Sequence, residues 1–313
     1  MDILFHSPAD DESAWLAALR SALPDARVRA WRPGDGGGAD YALVWKPPAE
    51  VLRARAGLKA VFNLGAGVDA VLAFLARHPG LLPPAVKLIR LEDAGMATQM
   101  THYVVYAVLH HFRRIDAYAD SQAQARWAPL PPRALPAYAV GVLGAGTLGA
   151  AVARALAGLG FCVRAWSRSP KALAGVTSFA GDAALAPFAD GLHALVNLLP
   201  HTPATEGILG TPLFERLAPG ACLVNVARGA HLVEADLIAA LACGRLECAV
   251  LDVFREEPLP ADHPFWRHPR IRVTPHVSAA TLLDDGVAQI AAKIRALERG
   301  QPVSGVVSLA RGY

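Results

Sequence analysis

A chain of 313 residues with 53% hydrophobic content is long enough for two domains of ordinary size, each with its own core, and has the composition of a globular, soluble protein. A formal net charge of +3, with basic residues scattered along the chain, argues against a nucleic-acid footprint and leaves a small molecule as the expected partner. No basic-then-apolar leader opens the chain, and the longest apolar run, near Ala139 to Ala153, falls short of a membrane span, so no membrane partner and a cytoplasmic location are expected.

The first third reads as repeated short βα units. Asp2 to Phe5 is a strand, Glu12 to Ala22 an amphipathic helix, Arg27 to Trp31 a strand and Tyr41 to Trp45 another. Lys59 to Asn63 continues the alternation and leads into the glycine-rich turn Leu64-Gly65-Ala66-Gly67-Val68-Asp69. A helix from Ala70 to Arg77 and a strand from Leu88 to Leu91 follow. Such alternation indicates a parallel sheet covered by helices.

Thr98 to Tyr118 carries a long helical pattern with Thr98 as N-cap, and the Pro-rich segment Trp127 to Pro136 sets a domain boundary before the next strand. Tyr138 to Gly160 then reads as a short apolar strand, Gly144-Ala145-Gly146-Thr147-Leu148-Gly149, and an Ala/Leu helix stopped by Gly160. This order is the dinucleotide-binding fingerprint. Its glycines permit a tight turn, close approach of a pyrophosphate to backbone, and close helix–strand packing, with the phosphates at the helix N-terminus. Further strands are expected at Phe161 to Trp166, Ala194 to Leu198, Ala221 to Asn225, Ala249 to Val253 and Arg272 to Thr274, and helices at Thr211 to Leu217 and Glu234 to Cys243. Together with Ala139 to Leu143 these make six strands, a doubly wound Rossmann-type domain. A last helix, Thr281 to Arg299, has no strand left to start and is expected to return to the first domain. The four cysteines, Cys162, Cys222, Cys243 and Cys248, show no metal-ligand spacing, and all are read as reduced core residues.

Coenzyme choice is written at the end of the second strand of such a domain, where a carboxylate accepts from the ribose hydroxyls of NAD. Here the corner reads Trp166-Ser167-Arg168-Ser169-Pro170-Lys171, and no Asp or Glu occurs between Asp120 and Asp182. Hydroxyl donors and the cations Arg168 and Lys171 suit a phosphate dianion, so NADP(H) is expected over NAD(H), which remains possible as a second coenzyme.

Three later stretches set polar groups just past expected strand ends: Asn225-Val226-Ala227-Arg228-Gly229, Leu251 to Pro260, and Thr274-Pro275-His276-Val277-Ser278. A 2-oxo acid accepting a hydride needs a fixed cation for its carboxylate and carbonyl oxygen, and a proton donor for the developing alkoxide. Arg228 supplies the planar, permanently charged fork, and His276 an imidazole that titrates near neutral pH. Glu257 would orient that ring and hold its proton.

These residues resemble the D-2-hydroxyacid dehydrogenase family, whose pattern N-x-A-R-G, L-D-V-F-x-x-E-P-L and T-P-H is met at Asn225 to Gly229, Leu251 to Leu259 and Thr274 to His276. More narrowly, Tyr41 to Trp45, Leu64 to Asp69, Leu91 to Met96, Trp166 to Arg168 and the ending Ala310 to Tyr313 resemble the branch of that family that reduces glyoxylate to glycolate and hydroxypyruvate to D-glycerate with NADPH. The resemblance implies two doubly wound parallel-sheet domains with a cleft between them. The substrate domain is discontinuous and flavodoxin-like, residues 1–98 and 281–313; residues 99–280 form the NADP-binding domain. It also implies a cytoplasmic homodimer, Arg228, Glu257 and His276 as catalytic trio, and a Leu64-Gly65-Ala66-Gly67 turn whose Ala66 and Gly67 amides meet the substrate carboxylate beside Trp45. Leu199, Pro200, Val226, Ala227, Asp252 and Ser278 join the fingerprint and the Trp166 to Lys171 corner as cofactor contacts. One departure is Ser278-Ala279-Ala280, where the family often has glycines.

Two other readings stand beside this one. The pocket could serve bulkier 2-oxo acids such as phenylpyruvate, and a nucleotide-sensing, corepressor-like role is the non-enzymatic alternative. No added tail, charge run or basic patch supports the latter.

Overall fold

The computed structural model describes residues 1–52 and 55–308, so the resemblance at Ala310 to Tyr313 lies outside the described residues. The chain divides into two compact units, residues 1–96 with the chain from 280 onward, and residues 97–279.

In the first unit the strands β1 (Asp2–His6), β2 (Arg27–Ala30), β3 (Tyr41–Val44), β4 (Ala60–Asn63) and β5 (Lys87–Arg90) form a wholly parallel sheet in the order β2-β1-β3-β4-β5. β3 and β4 are buried along their whole length, which is why they read as continuous apolar runs rather than alternating ones. The helices are α1 (Glu12–Ala22), α2 (Ala49–Leu52) and α3 (Asp69–Arg77). α1 is capped by Asp11, whose carboxylate accepts from Ala14 N at 3.1 Å, and it buries Trp15 and Leu19.

The C-terminal helix, Leu283–Glu298, belongs to this unit: a Cβ on Gly286 would lie 3.0 Å from Trp15, and Tyr41 Oη donates to Glu298 at 2.6 Å. It begins later than the expected Thr281. That residue stays outside, with its hydroxyl donating to Leu64 O at 2.8 Å.

The second unit contains α4 (Met96–Phe112, all but its first residue), α5 (Ile115–Ala123), β6 (Ala139–Leu143), α6 (Thr147–Gly158), β7 (Cys162–Ser167), β8 (Val176–Ala180), α7 (Leu185–Ala189), β9 (Ala194–Asn197), α8 (Thr211–Phe214), β10 (Ala221–Asn225), α9 (Glu234–Ala242), β11 (Leu246–Leu251) and β12 (Ile271–Val273). Its seven strands are all parallel, in the order β12-β11-β10-β9-β6-β7-β8. The order reverses between β6 and β9, the switch point at which open α/β sheets bind ligands.

Several expectations need correction. The single helix from Thr98 to Tyr118 is two helices: the first begins at Met96, so Thr98 sits inside it rather than capping it. Arg114, at φ +53°, is left-handed and ends the α-helical path. The Pro-rich segment Trp127 to Pro136 lies within the second unit, because α4 packs Met100, Val104 and Val108 into one core with Tyr138, Val140 and Val152.

The sheet has seven strands rather than six. The missing one, β8, is a half-exposed edge strand, Val-Thr-Ser-Phe-Ala, with too little apolar alternation to announce itself. α8 stops at Phe214, short of Leu217. Cys162 and Cys243 are exposed, whereas Cys222 and Cys248 are buried, and all four are free thiols. Among the described residues no helix is long and apolar enough to cross a membrane.

Candidate active site

In the second unit, adjacent parallel strands end side by side at Leu143, Ser167, Asn197, Asn225, Leu251 and Val273. The residues that follow are Gly144, Arg168, Leu198, Val226, Asp252 and Thr274, so one edge of the sheet gathers every polar turn singled out in the second half of the sequence.

The glycine turn has the geometry the fingerprint requires. Gly144 is left-handed at φ +98°, and a Cβ there would lie 2.7 Å from Leu198 O. A Cβ on Gly149 would sit 1.8 Å from Gly144 O, so only glycine lets α6 pack this close to β6. Gly146 has open space where its Cβ would be, and as N-cap of α6 it offers no side chain to the first-turn amides. Open space beside uncapped, positively polarised amides fits a dinucleotide pyrophosphate. Ala145 is buried, while Thr147 and Leu148 open the helix.

At the neighbouring strand end Trp166 is buried, its indole donating to Gly181 O at 2.9 Å, and the Ser167 hydroxyl donates to Ser169 O at 2.8 Å. These bonds fold the corner so that Arg168, Ser169 and Lys171 are exposed beside the glycine turn, since Leu143 and Trp166 are register partners.

The structure brings Arg228, Glu257 and His276 to the same edge. His276 Nδ1 and Glu257 Oε2 are 2.8 Å apart, and Glu257 Oε1 accepts from Phe254 N at 3.0 Å. Burial alone would raise the Glu257 carboxyl, but the hydrogen bonds from His276 and Phe254 and the charges of His276 and Arg228 outweigh it and hold the group below the usual carboxylate range. An ionised Glu257 accepts from the imidazole, so Nδ1 carries a hydrogen and Nε2 is the atom left for proton exchange.

His276 stands in the left-handed region at φ +56°, unusual for a residue with a Cβ. Its amide donates to Asp252 O at 2.8 Å. Asp252 is fully buried; Oδ1 accepts from the Thr274 hydroxyl at 2.6 Å and from Val277 N at 2.9 Å, and Oδ2 from Ser278 N at 2.8 Å. The Thr274 hydrogen is thereby used, so Tyr103 Oη, 2.6 Å away, is the donor to Thr274. Burial pushes the Tyr103 phenol up to about 12, which keeps it protonated for that role. Asp252, expected at the cofactor, thus spends both oxygens on the loop that carries His276.

Arg228 is half-buried and follows a second buried network that sequence reasoning did not single out. Asn225 Nδ2 donates to Arg228 O at 3.0 Å, and Asn225 Oδ1 accepts from Ala227 N at 3.3 Å and from Asn197 Nδ2 at 3.0 Å. Asn197 Nδ2 also meets His231 Nδ1 at 2.8 Å, while Asn197 Oδ1 accepts from Leu199 N at 3.2 Å and His231 Nε2 lies 3.3 Å from Pro200 O. Asn197, Asn225 and His231 are fully buried, and together they tie the Leu199-Pro200 turn to the Val226 to Arg228 turn. Gly229 is required after Arg228 because a Cβ would fall 1.8 Å from the Phe254 carbonyl carbon. Asn225 opens the N-x-A-R-G pattern in the sequence, whereas the only advance signal for Asn197 and His231 was a polar residue at the end or flank of an apolar run.

The remaining candidates, Trp45 and Leu64 to Gly67, belong to the first unit. Trp45 lies just past β3 and packs over Gly65, where a Cβ would come within 2.7 Å of the indole. Leu64 and Gly65 are buried, and Ala66 and Gly67 half-buried.

Residues 105–278 match the family model described as D-isomer specific 2-hydroxyacid dehydrogenase, NAD binding domain. Over the full length of both chains the protein is 53% identical to a glyoxylate/hydroxypyruvate reductase A of Yersinia enterocolitica and 55% identical to one of Serratia proteamaculans. Among solved structures it is similar to a D-isomer specific 2-hydroxyacid dehydrogenase of Xanthobacter autotrophicus Py2 in complex with NADPH and MES, at TM-score 0.92 and 43% identity, covering 100% of this chain and 99% of that one. An NADPH-dependent glyoxylate/hydroxypyruvate reductase of Sinorhizobium meliloti, in complex with NADP and sulfate, is similar at TM-score 0.91 and 34% identity, with the same coverage. With the fingerprint turn, the Arg228 turn and the His276–Glu257 pair on one sheet edge, this chain belongs to the D-isomer specific 2-hydroxyacid dehydrogenase family.

Proposed function

We propose that the protein is an NADPH-dependent reductase of small 2-oxo acids, converting glyoxylate to glycolate and hydroxypyruvate to D-glycerate, with NAD(H) as a secondary coenzyme. The observation that carries the reading is the His276–Glu257 pair at 2.8 Å on the same sheet edge as Arg228 and the uncapped glycine turn. Residues Gly144 to Gly149 would hold the pyrophosphate and Ser167, Arg168, Ser169 and Lys171 the 2′-phosphate, with Trp166, Leu199, Pro200, Val226, Ala227, Asp252 and Ser278 lining the site. When bound, NADPH supplies the hydride.

Arg228 engages the substrate carboxylate and carbonyl oxygen, so that negative charge developing on that oxygen meets a fixed cation. His276 gives its Nε2 proton to the same oxygen. Glu257 stabilises the imidazolium beforehand and holds the ring through Nδ1, help typically worth about 10² to 10⁴ in rate. Trp45 and the Leu64 to Gly67 turn are assigned to the substrate. The proposed working form is a cytoplasmic homodimer.

The test is NADPH oxidation by the purified protein with glyoxylate, hydroxypyruvate, pyruvate and phenylpyruvate, compared by kcat/KM. Highest values for the first two are expected. Tight NADPH binding without turnover of any of them would instead indicate a nucleotide sensor.

A further inference from the structure

We infer that Asn63, Arg90 and Thr281 are positioning residues that aim the amides of Gly65, Ala66 and Gly67 at a substrate carboxylate. The inference rests on the function proposed above and concerns the first unit alone. Each carbonyl of the four-residue turn accepts from a side chain: Leu64 O from Thr281 Oγ1 at 2.8 Å, Gly65 O from Asn63 Nδ2 at 2.9 Å, Ala66 O from Arg90 Nη1 at 3.4 Å, and Gly67 O from Asn63 Nδ2 at 3.0 Å. In a trans peptide the N–H points away from the C=O of the same unit, so holding each carbonyl on one side turns the next amide to the other. Among the described residues, the amides of Gly65, Ala66 and Gly67 have no acceptor, whereas Leu64 N is spent on Val44 O at 3.0 Å.

Three consecutive unpaired amides make a concavity for an anion. A single reversed peptide would put a carbonyl oxygen against the carboxylate and turn attraction into repulsion. Glycine lets a peptide reverse with little steric penalty, and Trp45 over Gly65 leaves no room for a side chain that would forbid it. The restraint must therefore come from outside the turn. Asn63 provides most of it: the residue is buried, ends β4, and uses both amide hydrogens on carbonyls two and four residues ahead.

Three variants of the full chain test this: Asn63→Ala, Thr281→Val and Thr281→Ser. Asn63→Ala is expected to raise KM for glyoxylate about tenfold or more, as one misdirected charge-assisted bond does, while kcat and the NADPH dissociation constant stay within about twofold, the mark of lost uniform substrate binding. Thr281→Val raises KM by a smaller factor, and Thr281→Ser, which keeps the hydroxyl, restores it. Wild-type KM in Asn63→Ala and Thr281→Val overturns the inference, as does a raised KM accompanied by lowered kcat and weaker NADPH binding in proportion to lowered thermal stability. If Asn63→Ala does not fold, the Thr281 pair decides.

Absence of turnover by the wild-type protein would sink the proposed function instead. In that event calorimetric titration of the NADP-loaded protein with oxalate still reads the turn: weaker binding in Thr281→Val, recovered in Thr281→Ser, supports the inference, and equal binding in all three refutes it.

Discussion

Replacing Asp252 with asparagine separates an anchor of the loop that carries His276 from a cofactor contact. The carboxylate is fully buried and accepts three bonds, from Thr274 Oγ1, Val277 N and Ser278 N, at 2.6 to 2.9 Å. An amide of the same shape keeps one acceptor oxygen and presents hydrogens at the other position. With the NH₂ toward Ser278 that N–H loses its acceptor; with the NH₂ toward Val277 that one does, and only the Thr274 hydroxyl can reverse to accept. Either way one buried N–H is orphaned, costing about 1–3 kcal/mol, and the remaining bonds lose their charge assistance, so about 2–4 kcal/mol is expected in all. The freed segment is the one that holds His276 in its left-handed conformation, and a displacement of about 1 Å there lowers kcat about a hundredfold. Urea denaturation read beside kcat and the NADPH dissociation constant measures all three effects. Stability within about 0.5 kcal/mol of wild type, the range of an ordinary surface change, with kcat intact, would refute the anchoring argument. A loss confined to NADPH affinity would make Asp252 a cofactor contact rather than an anchor.

Removal of the imidazole in His276→Ala should lower kcat about 10² to 10⁴-fold while NADPH affinity is retained; an unchanged kcat excludes His276 as the acid. In Arg168→Ala the affinity for NADPH should fall about 10- to 100-fold and that for NADH should not, the loss expected of one charge-assisted phosphate contact. A wild-type preference for NADH, or intact NADPH affinity in the variant, would remove the corner from coenzyme choice. For Glu257 the folded carboxyl titrates below its ordinary value, so its stabilising contribution is present above the unfolded value of about 4.3 and disappears as pH falls through the folded one. The difference in Tm between wild type and Glu257→Gln should therefore be present at neutral pH and vanish in acid. It should also be small, because the side chain is 37% exposed and water screens the pair. A difference that grows toward low pH would contradict this sign.

Features whose cause is local were legible in the amino-acid sequence. Continuous apolar runs marked the buried parallel strands, as at Tyr41–Val44 and Ala221–Asn225, and the spacing Gly144-x-Gly146-x-x-Gly149 marked a turn that only glycine can make. The lack of any carboxylate between Asp120 and Asp182 decided the electrostatics of the Trp166 to Lys171 corner, because charge belongs to residue type. Elements without a local signature were missed: β8 owes its place to pairing with β7, and the break at Arg114 to one backbone dihedral that no residue type demanded.

Only the tertiary structure could decide what the polar residues hold. Asp252 meets Ser278 across 26 positions, His276 meets Glu257 across 19, and Thr281 meets Leu64 across 217. A carboxylate, an amide or a hydroxyl has several possible partners, and strand order selects among them. The sequence therefore determined which chemical groups the protein carries and which turns could bind anions, whereas the arrangement of the sheets determined which group orients which, since a hydrogen bond depends on distance and direction rather than on composition.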